Sequence, residues 1–272
     1  MASWDKGPHD PETGMAVIVS VLLLIVAVLV ALVMACSAQG ATWREDFDGH
    51  TLSPAFIARS GCPAGPSAED WLCYSPANAW QRHGQLHLRQ TTGTQGRPYD
   101  GAEVSTMDVS RGWPSRQVQV AWSPPLTVRA RVKWSPADGF WQAFVAIGTD
   151  RVRPTELDIA EESGTREFFD FCALHQTLPD GTRQHVHLGV TTPFNISSDW
   201  HTYWLRYPGD GTVTFGVDRL TCGTSDVVNV GPIGLDFAAK SAPPRFGWVA
   251  AGGPVLEPSV QYRVDWVKVT QP

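Results

Sequence analysis

Leu126-Thr127-Val128-Arg129-Ala130-Arg131-Val132-Lys133-Trp134 places an apolar side chain at every second position and a polar one between. Successive side chains of an extended chain point to opposite faces, so this period of two predicts a β-strand with one face buried and one in water. The same alternation returns at Val213, Phe215 and Val217, and again at Val260, Tyr262, Val264 and Trp266. Turn-forming clusters punctuate the runs: Ser135-Pro136-Ala137-Asp138-Gly139, Pro179-Asp180-Gly181, Pro208-Gly209-Asp210-Gly211 and Gly252-Gly253-Pro254. No amphipathic stretch of helical length follows residue 41. The pattern predicts one antiparallel β-sandwich from about residue 42 to 272, larger than an immunoglobulin domain.

Composition sets the class around that core. With 272 residues, 43% of them hydrophobic and twelve Trp, the chain can fill a large interior. A formal net charge of −6 with no basic stripe gives no footprint for nucleic acid. Most Trp in any domain are core, but a Trp-rich β domain also suits stacking on sugar rings.

Met15 to Cys36 runs without one charged residue and is long enough to cross a bilayer as a helix. The organisation expected is therefore a tail (1–14), a transmembrane or signal/lipoprotein segment (15–36), a linker (37–43) and one domain (44–272). Lys6 is the only Lys or Arg in the tail, so positive charge says little about orientation. An uncleaved anchor, cleavage near Ala38 and lipidation at Cys36 are all compatible with the run. Each of them exports the remainder, which puts the domain outside the cytoplasm, held at the membrane or secreted. Five Cys become four once Cys36 is set aside, and Cys62, Cys73, Cys172 and Cys222 then allow two disulfides. Of three pairings the preferred one is Cys62 with Cys73, closing a short loop, and Cys172 with Cys222; four buried free thiols are the alternative. No C-x-x-C pair suggests zinc.

The chemistry-bearing stretch is Thr155-Glu156-Leu157-Asp158-Ile159-Ala160-Glu161-Glu162. On a strand, Leu157 and Ile159 take one face and Glu156 and Asp158 the other. Crowded carboxylates repel and raise at least one pKa, which suits acid catalysis, although a solvated edge strand guarded by charge has the same composition. Retaining glycosidases hold their two carboxyl groups about 5–5.5 Å apart and inverting ones about 6.5–9.5 Å. Strict alternation would put Glu162 on the Glu156 face, with Cα atoms roughly 20 Å away at about 3.3 Å per residue. A one-residue β-bulge near Ile159 or Ala160 would instead turn Glu161 onto that face.

Glu156-Leu157-Asp158-Ile159-Ala160-Glu161 resembles the bulged E-[IL]-D-x-x-E signature of glycoside hydrolase family 16, in its laminarinase-like branch. Other segments fall in the order of that family. Glu45-Asp46-Phe47-Asp48-Gly49 looks like its first strand, Gly84-Gln85-Leu86-His87-Leu88 like a later one, and Gly139-Phe140-Trp141-Gln142-Ala143-Phe144 is similar to its segment upstream of the acids. Asp199-Trp200-His201-Thr202-Tyr203, Val217-Asp218, Ala251-Gly252-Gly253 and Val264-Asp265-Trp266-Val267-Lys268-Val269 complete the series. The resemblance covers about 42–272 and implies an all-β, concanavalin-like jelly-roll sandwich. It also implies a retaining endo-hydrolase of β-1,3- or mixed-linkage glucan, acting as a monomer on a polysaccharide. Glu156 would be the nucleophile, Asp158 the residue that tunes the pair and Glu161 the acid/base, with no cofactor required for catalysis. Trp141 would line the sugar cleft, His187 falls where relatives place a cleft histidine, and Asp265 matches a position that helps hold a structural calcium.

The departures concern the sugar subsites. Glu103, in Tyr99-Asp100-Gly101-Ala102-Glu103, stands where relatives have an arginine, Arg206-Tyr207 replaces a Glu-Trp pair, and Trp248-Val249-Ala250 replaces Asn-Leu-Ala. Another β-glycan, such as a galactan, a transglycosylase, and a non-catalytic lectin-like binder are therefore the alternatives.

Overall fold

The computed structural model describes residues 40–63, 72–108, 118–150, 155–163, 169–228, 231–241 and 259–272. The expected apolar segment at 15–36, with Cys36 and Ala38, lies outside them, as does Trp248. Sixteen strands run in chain order: β1 (Thr42–Glu45), β2 (Ile57–Ala58), β3 (Leu72–Tyr74), β4 (Ala79–Gln81), β5 (Leu86–Thr92), β6 (Tyr99–Ser105), β7 (Leu126–Lys133), β8 (Phe140–Gly148), β9 (Glu156–Glu162), β10 (Phe169–Thr177), β11 (Arg183–Thr191), β12 (His201–Tyr207), β13 (Thr212–Val217), β14 (Leu220–Asp226), β15 (Ile233–Ser241) and β16 (Ser259–Thr270). One 3-10 turn, Pro76–Asn78, interrupts them, and there is no α-helix among the described residues. No described helix is long and apolar enough to cross a membrane.

The strands form two layers of a sandwich. The first has the order β11-β10-β9-β8-β15-β6 and the second β5-β16-β7-β12-β13-β14, with a short ladder at Thr91↔Asp100 joining β5 to β6. β1 extends β16, β2 and β3 flank β6, and β4 pairs with β5. Jelly-roll-like all-β architecture is thus present as expected.

Alternation explains which side chains meet between the layers. Along β7, Leu126, Val128, Ala130 and Val132 are buried while Arg129 and Arg131 are exposed, as the quoted run predicts, and Trp134 is buried beyond the strand end. Phe144 of β8 and Phe237 of β15 are Cα partners whose rings stack at 4.6 Å. Truncating either buried ring is expected to cost about 3–5 kcal/mol. Gly139, Gly181, Gly209 and Gly211 take positive φ in the turns marked by the sequence; a side chain there would be strained.

The expected alternation fails at one place. Val264 pairs with Val132 but Trp266 pairs with Arg131, so Asp265 is an extra residue and the pattern slips by one. Val267 and Val269 become the core residues, whereas Trp266 turns outward beneath the Arg44 guanidinium at 4.8 Å. A bulge reverses the face of every residue that follows it.

Both disulfides of the preferred pairing form. Cys62 is bonded to Cys73, and Cys172 of β10 to Cys222 of β14. Cys222 is itself a bulged residue, because Gly216 pairs with Thr221 and Phe215 with Gly223. Its side chain is buried on the β10 side of its own sheet, where Cys172 reaches it from the opposite layer.

Candidate active site

β9 carries the candidate acids, and its two neighbours agree on its register. Against β10, Glu161 pairs with Phe171 and Asp158 with Ala173; against β8, Ala160 pairs with Phe144 and Asp158 with Val145. Both ladders spend one more residue on β9 than on the neighbour, and Ile159 is that residue. The bulge expected from the spacing of the acids is therefore real. Leu157, Ile159 and Ala160 all join the core cluster, which leaves Glu156, Asp158 and Glu161 on the outer face of the first sheet. The six residues of β9 from Glu156 to Glu161 are matched by five on β10, from His175 to Phe171, and by five on β8, from Ile147 to Ala143.

The outer face can be read row by row from these ladders. Glu156 lies between His175 and Ile147, Asp158 between Ala173 and Val145, and Glu161 between Phe171 and Ala143. Ala143, Val145, Ile147, Ala238 and Met107 form a small buried apolar cluster beside the acids. Asp158 is buried, and Glu156 and Glu161 are half-buried.

That setting disfavours negative charge on two of the acids. Burial raises the Glu161 carboxyl well above the ordinary glutamate range, and the charges of Asp158 and Glu156 push the same way. Lys240 and a hydrogen bond from Trp141 Nε1 to Glu161 Oε1 at 2.8 Å oppose that rise. Asp158 is likewise raised well above its usual value, first by burial and then by Glu156, with Lys240 opposing. Its Oδ2 lies 3.0 Å from His175 Nε2, and His175 Nδ1 is 3.0 Å from His185 Nδ1.

The remaining expected residues are distributed unevenly. Trp141 is in place beside Glu161, but its ring lies 4.7 Å from Lys240 Nζ. His187 is on the same outer face, exposed and opposite Ala173 on β11, one strand beyond the contact with Asp158. His175 makes that contact instead and went unnoticed in the sequence. Its signal was the alternation of β10, where Cys172 and Leu174 turn inward and so send Ala173 and His175 outward. Glu103 is buried on β6, held by Arg59 Nη1 at 2.8 Å. Asp265 pairs with Arg131 Nη1 at 2.9 Å, and among the described residues no group of three His, Cys, Asp or Glu side chains could hold a metal ion.

A second polar group lies behind the acids, between the layers. Glu162 follows Glu161 into the interior and is buried, with Asp170 of β10, Trp134 and Tyr203 of β12 also buried. Trp134 and Tyr203 hydrogen-bond to each other, while both Asp170 oxygens have no side-chain or backbone donor among the described residues. Burial, with the nearby Asp218 charge, lifts the Asp170 carboxyl to about 8. Tyr203 is also raised, by burial and then by the charges of Asp170 and Glu162.

No family model matches the chain, and no curated protein matches it in sequence. Solved structures do match in shape. An endo-β-1,3-glucanase from Pyrococcus furiosus superposes with a TM-score of 0.67 at 18% identity, over 84% of this chain and 93% of that one. The laminarinase catalytic domain of Thermotoga maritima gives 0.70 at 15% identity, over 86% of this chain and 99% of that one. A glycoside hydrolase family 16 endo-glucanase from Bacteroides ovatus, in complex with G4G3G-2F-DNP, gives 0.66 at 15% identity over 84% and 99%. Along nearly the whole described sandwich, this chain shares the fold of the glycoside hydrolase family 16 endo-glucanases.

Proposed function

We propose that the domain is a retaining, endo-acting β-glycan hydrolase whose substrate is a β-1,3- or mixed-linkage glucan. The observation that carries this reading is the bulge at Ile159, which brings Glu156, Asp158 and Glu161 onto one face beside an apolar cluster. Four residue steps of neighbouring strand, at about 3.3 Å each, put the Cα atoms of Glu156 and Glu161 about 13 Å apart. Side chains that lean together shorten that gap, and the retaining mechanism calls for the two carboxyls to come within about 5–5.5 Å.

In the first step Glu156 attacks the anomeric carbon while Glu161 gives its proton to the leaving glycosidic oxygen, so one C–O bond forms as the other breaks. A raised Glu161 suits the acid role, because the group must be protonated when substrate arrives. Once Glu156 is esterified its charge is gone, so the proton affinity of Glu161 falls and the group stays ionised, available to act as the base. It then takes a proton from water, whose oxygen displaces Glu156 and restores the starting configuration. The carboxylates carry both half-reactions, and the reaction as written draws on no cofactor.

Two further parts of the reading are proposals with their own support. The disulfides Cys62–Cys73 and Cys172–Cys222 favour a domain that works outside the cytoplasm. The uncharged run from Met15 to Cys36 is the expected means of attachment to the membrane.

The test is a panel of β-glycans scored by new reducing ends, with the configuration of the first product followed by NMR. Retention on a β-1,3- or mixed-linkage glucan is the expected result. Inversion would overturn the mechanism, and tight binding with no cleavage of any glycan would make the domain a lectin-like binder.

A further inference from the structure

Lys240 belongs to no segment that the sequence singled out, yet its ammonium enters the field of the acids. On β15 it is the Cα partner of Trp141, and its Nζ lies 4.7 Å from the centre of the indole. The same indole donates its N–H to Glu161 at 2.8 Å. One face of the ring therefore meets a cation while its edge holds a carboxylate. Cation–π attraction over indole contributes about 0.5–1 kcal/mol at exposed sites and more where water is excluded.

We propose that Lys240 and Trp141 form a positioning pair that fixes the Glu161 side chain and sets the pH at which it releases its proton. This inference rests on the reading of Glu161 as the acid/base for its catalytic meaning, but not for its geometry. Among the described residues, the charges that act on Glu161 are those of Asp158, Glu156 and Lys240. Glu156 and Asp158 share its strand, His175 lies on β10, Asp236 and Lys240 lie on β15, and Glu103 of β6 is already paired with Arg59. The neighbouring carboxylates favour the protonated form and Lys240 favours the ionised one. Burial also favours protonation, and it is the larger effect. Lys240 thus works against the other influences and keeps the group able to ionise when it must act as a base.

Specificity follows from the same contact. The indole face under Lys240 is taken by the ammonium, so a pyranose ring cannot stack there while the pair is intact. Sugar stacking on Trp141 is confined to the other side of the ring.

The experiment uses the full chain in detergent with ¹⁵N-labelled tryptophan, following the indole N–H resonance of Trp141 from pH 4 to 9. The resonance is identified by its loss in Trp141→Phe. In the unaltered protein it should titrate with a midpoint above the ordinary glutamate range, and Glu161→Gln should abolish that titration. Lys240→Met should move the midpoint up by about one pH unit, the low end for a nearby opposite charge. Lys240→Arg should restore it, and Lys240→Gln repeats the measurement should the methionine variant fold poorly. A midpoint unchanged in both neutral variants, with near-ultraviolet dichroism intact, overturns the pairing, as does an indole resonance that ignores Glu161→Gln. None of these readings needs turnover. If Lys240→Met shifts the midpoint but Glu161→Ala is not rescued by azide, the acid/base reading fails while the pairing stands. If rescue succeeds and the midpoint stays put, the pairing alone fails.

Discussion

Glu161 turns to the outer face of the first sheet, where Trp141 holds its carboxyl and Lys240 opposes the repulsion of its neighbours. Glu162, the next residue, turns into the sandwich, into a group with Asp170, Tyr203 and Trp134. One peptide bond separates two carboxyls of the same chemical type whose surroundings give them different uses. On the outer face, raised acids have donors and a cation within reach, so a proton can arrive and leave during a reaction. In the interior, Asp170 has no hydrogen-bond partner at either oxygen, so its ionisation carries a stability cost and offers no chemistry. Burial alone therefore does not separate the two groups; what distinguishes the outer one is the Trp141 hydrogen bond to Glu161 and the Lys240 charge acting on Glu161 and Asp158.

The strongest way to break this contrast is to delete the outer carboxyls. Glu156→Ala should lower kcat on a β-glucan by several orders of magnitude, and with azide and an activated β-glycoside it should yield the α-glycosyl azide. Glu161→Ala should give the β-azide instead. The two anomers, separated by NMR, assign the roles; the same anomer from both variants would contradict the double displacement.

A smaller effect should come from the interior. Asp170 has a folded pKa raised to about 8 from 3.8, so the folded state holds a proton that the unfolded chain releases. Its favourable contribution is complete below about pH 4 and is lost as the pH rises toward 8. Melting temperature should accordingly fall across that window, and Asp170→Asn should flatten the fall and make the protein more stable than the original at pH 9 by a few kcal/mol. A variant as pH-sensitive as the parent would show that Asp170 is not the group responsible.

The smallest effect should be that of Glu162→Gln on catalysis. Because the side chain faces away from the acids, kcat should stay within about threefold, while the unfolding free energy from denaturant titration is expected to shift by roughly 1 kcal/mol in either direction. Glu162→Ala would in addition leave a cavity and cost stability. Loss of activity comparable to that of Glu161→Ala, in a variant that remains folded, would mean that the strand is read in the wrong frame.

The bulge was legible in the sequence because only an extra residue brings Glu161 to the face of Glu156 and Asp158, and the small Ala160 gave room for it. The disulfide pairing was legible because Cys62 and Cys73 are close in the chain. Other features were hidden for definite reasons. Trp266 continues the apolar alternation of Val260, Tyr262 and Val264, so nothing in residue type betrays the slip at Asp265. Lys240 acts from β15, a strand that lies beside β8 only through long-range pairing. Glu162 could be excluded from the reactive set by geometry, but its burial beside other polar side chains depends on residues more than thirty positions away, such as Tyr203. His175 needed the register of β10 before its imidazole could be brought to Asp158.

The two layers can also be seen as the leaves of a book. Their spine is the short β5/β6 ladder, and their free margins are β11 and β14, which pack together at the far side. The bond between Cys172 and Cys222 fastens those margins one strand in from β11. It acts as a clasp, placed where the leaves could otherwise open most widely and admit water to Asp170 and Glu162. Undoing it with a reductant should therefore speed amide exchange along β10 and β14 before it does so near β5 and β6, and the interior carboxyls should regain ordinary acidity as the margin opens. β9, one strand from the clasp, would share the fate of that margin, so the bond also decides how long the face bearing Glu156, Asp158 and Glu161 keeps its shape.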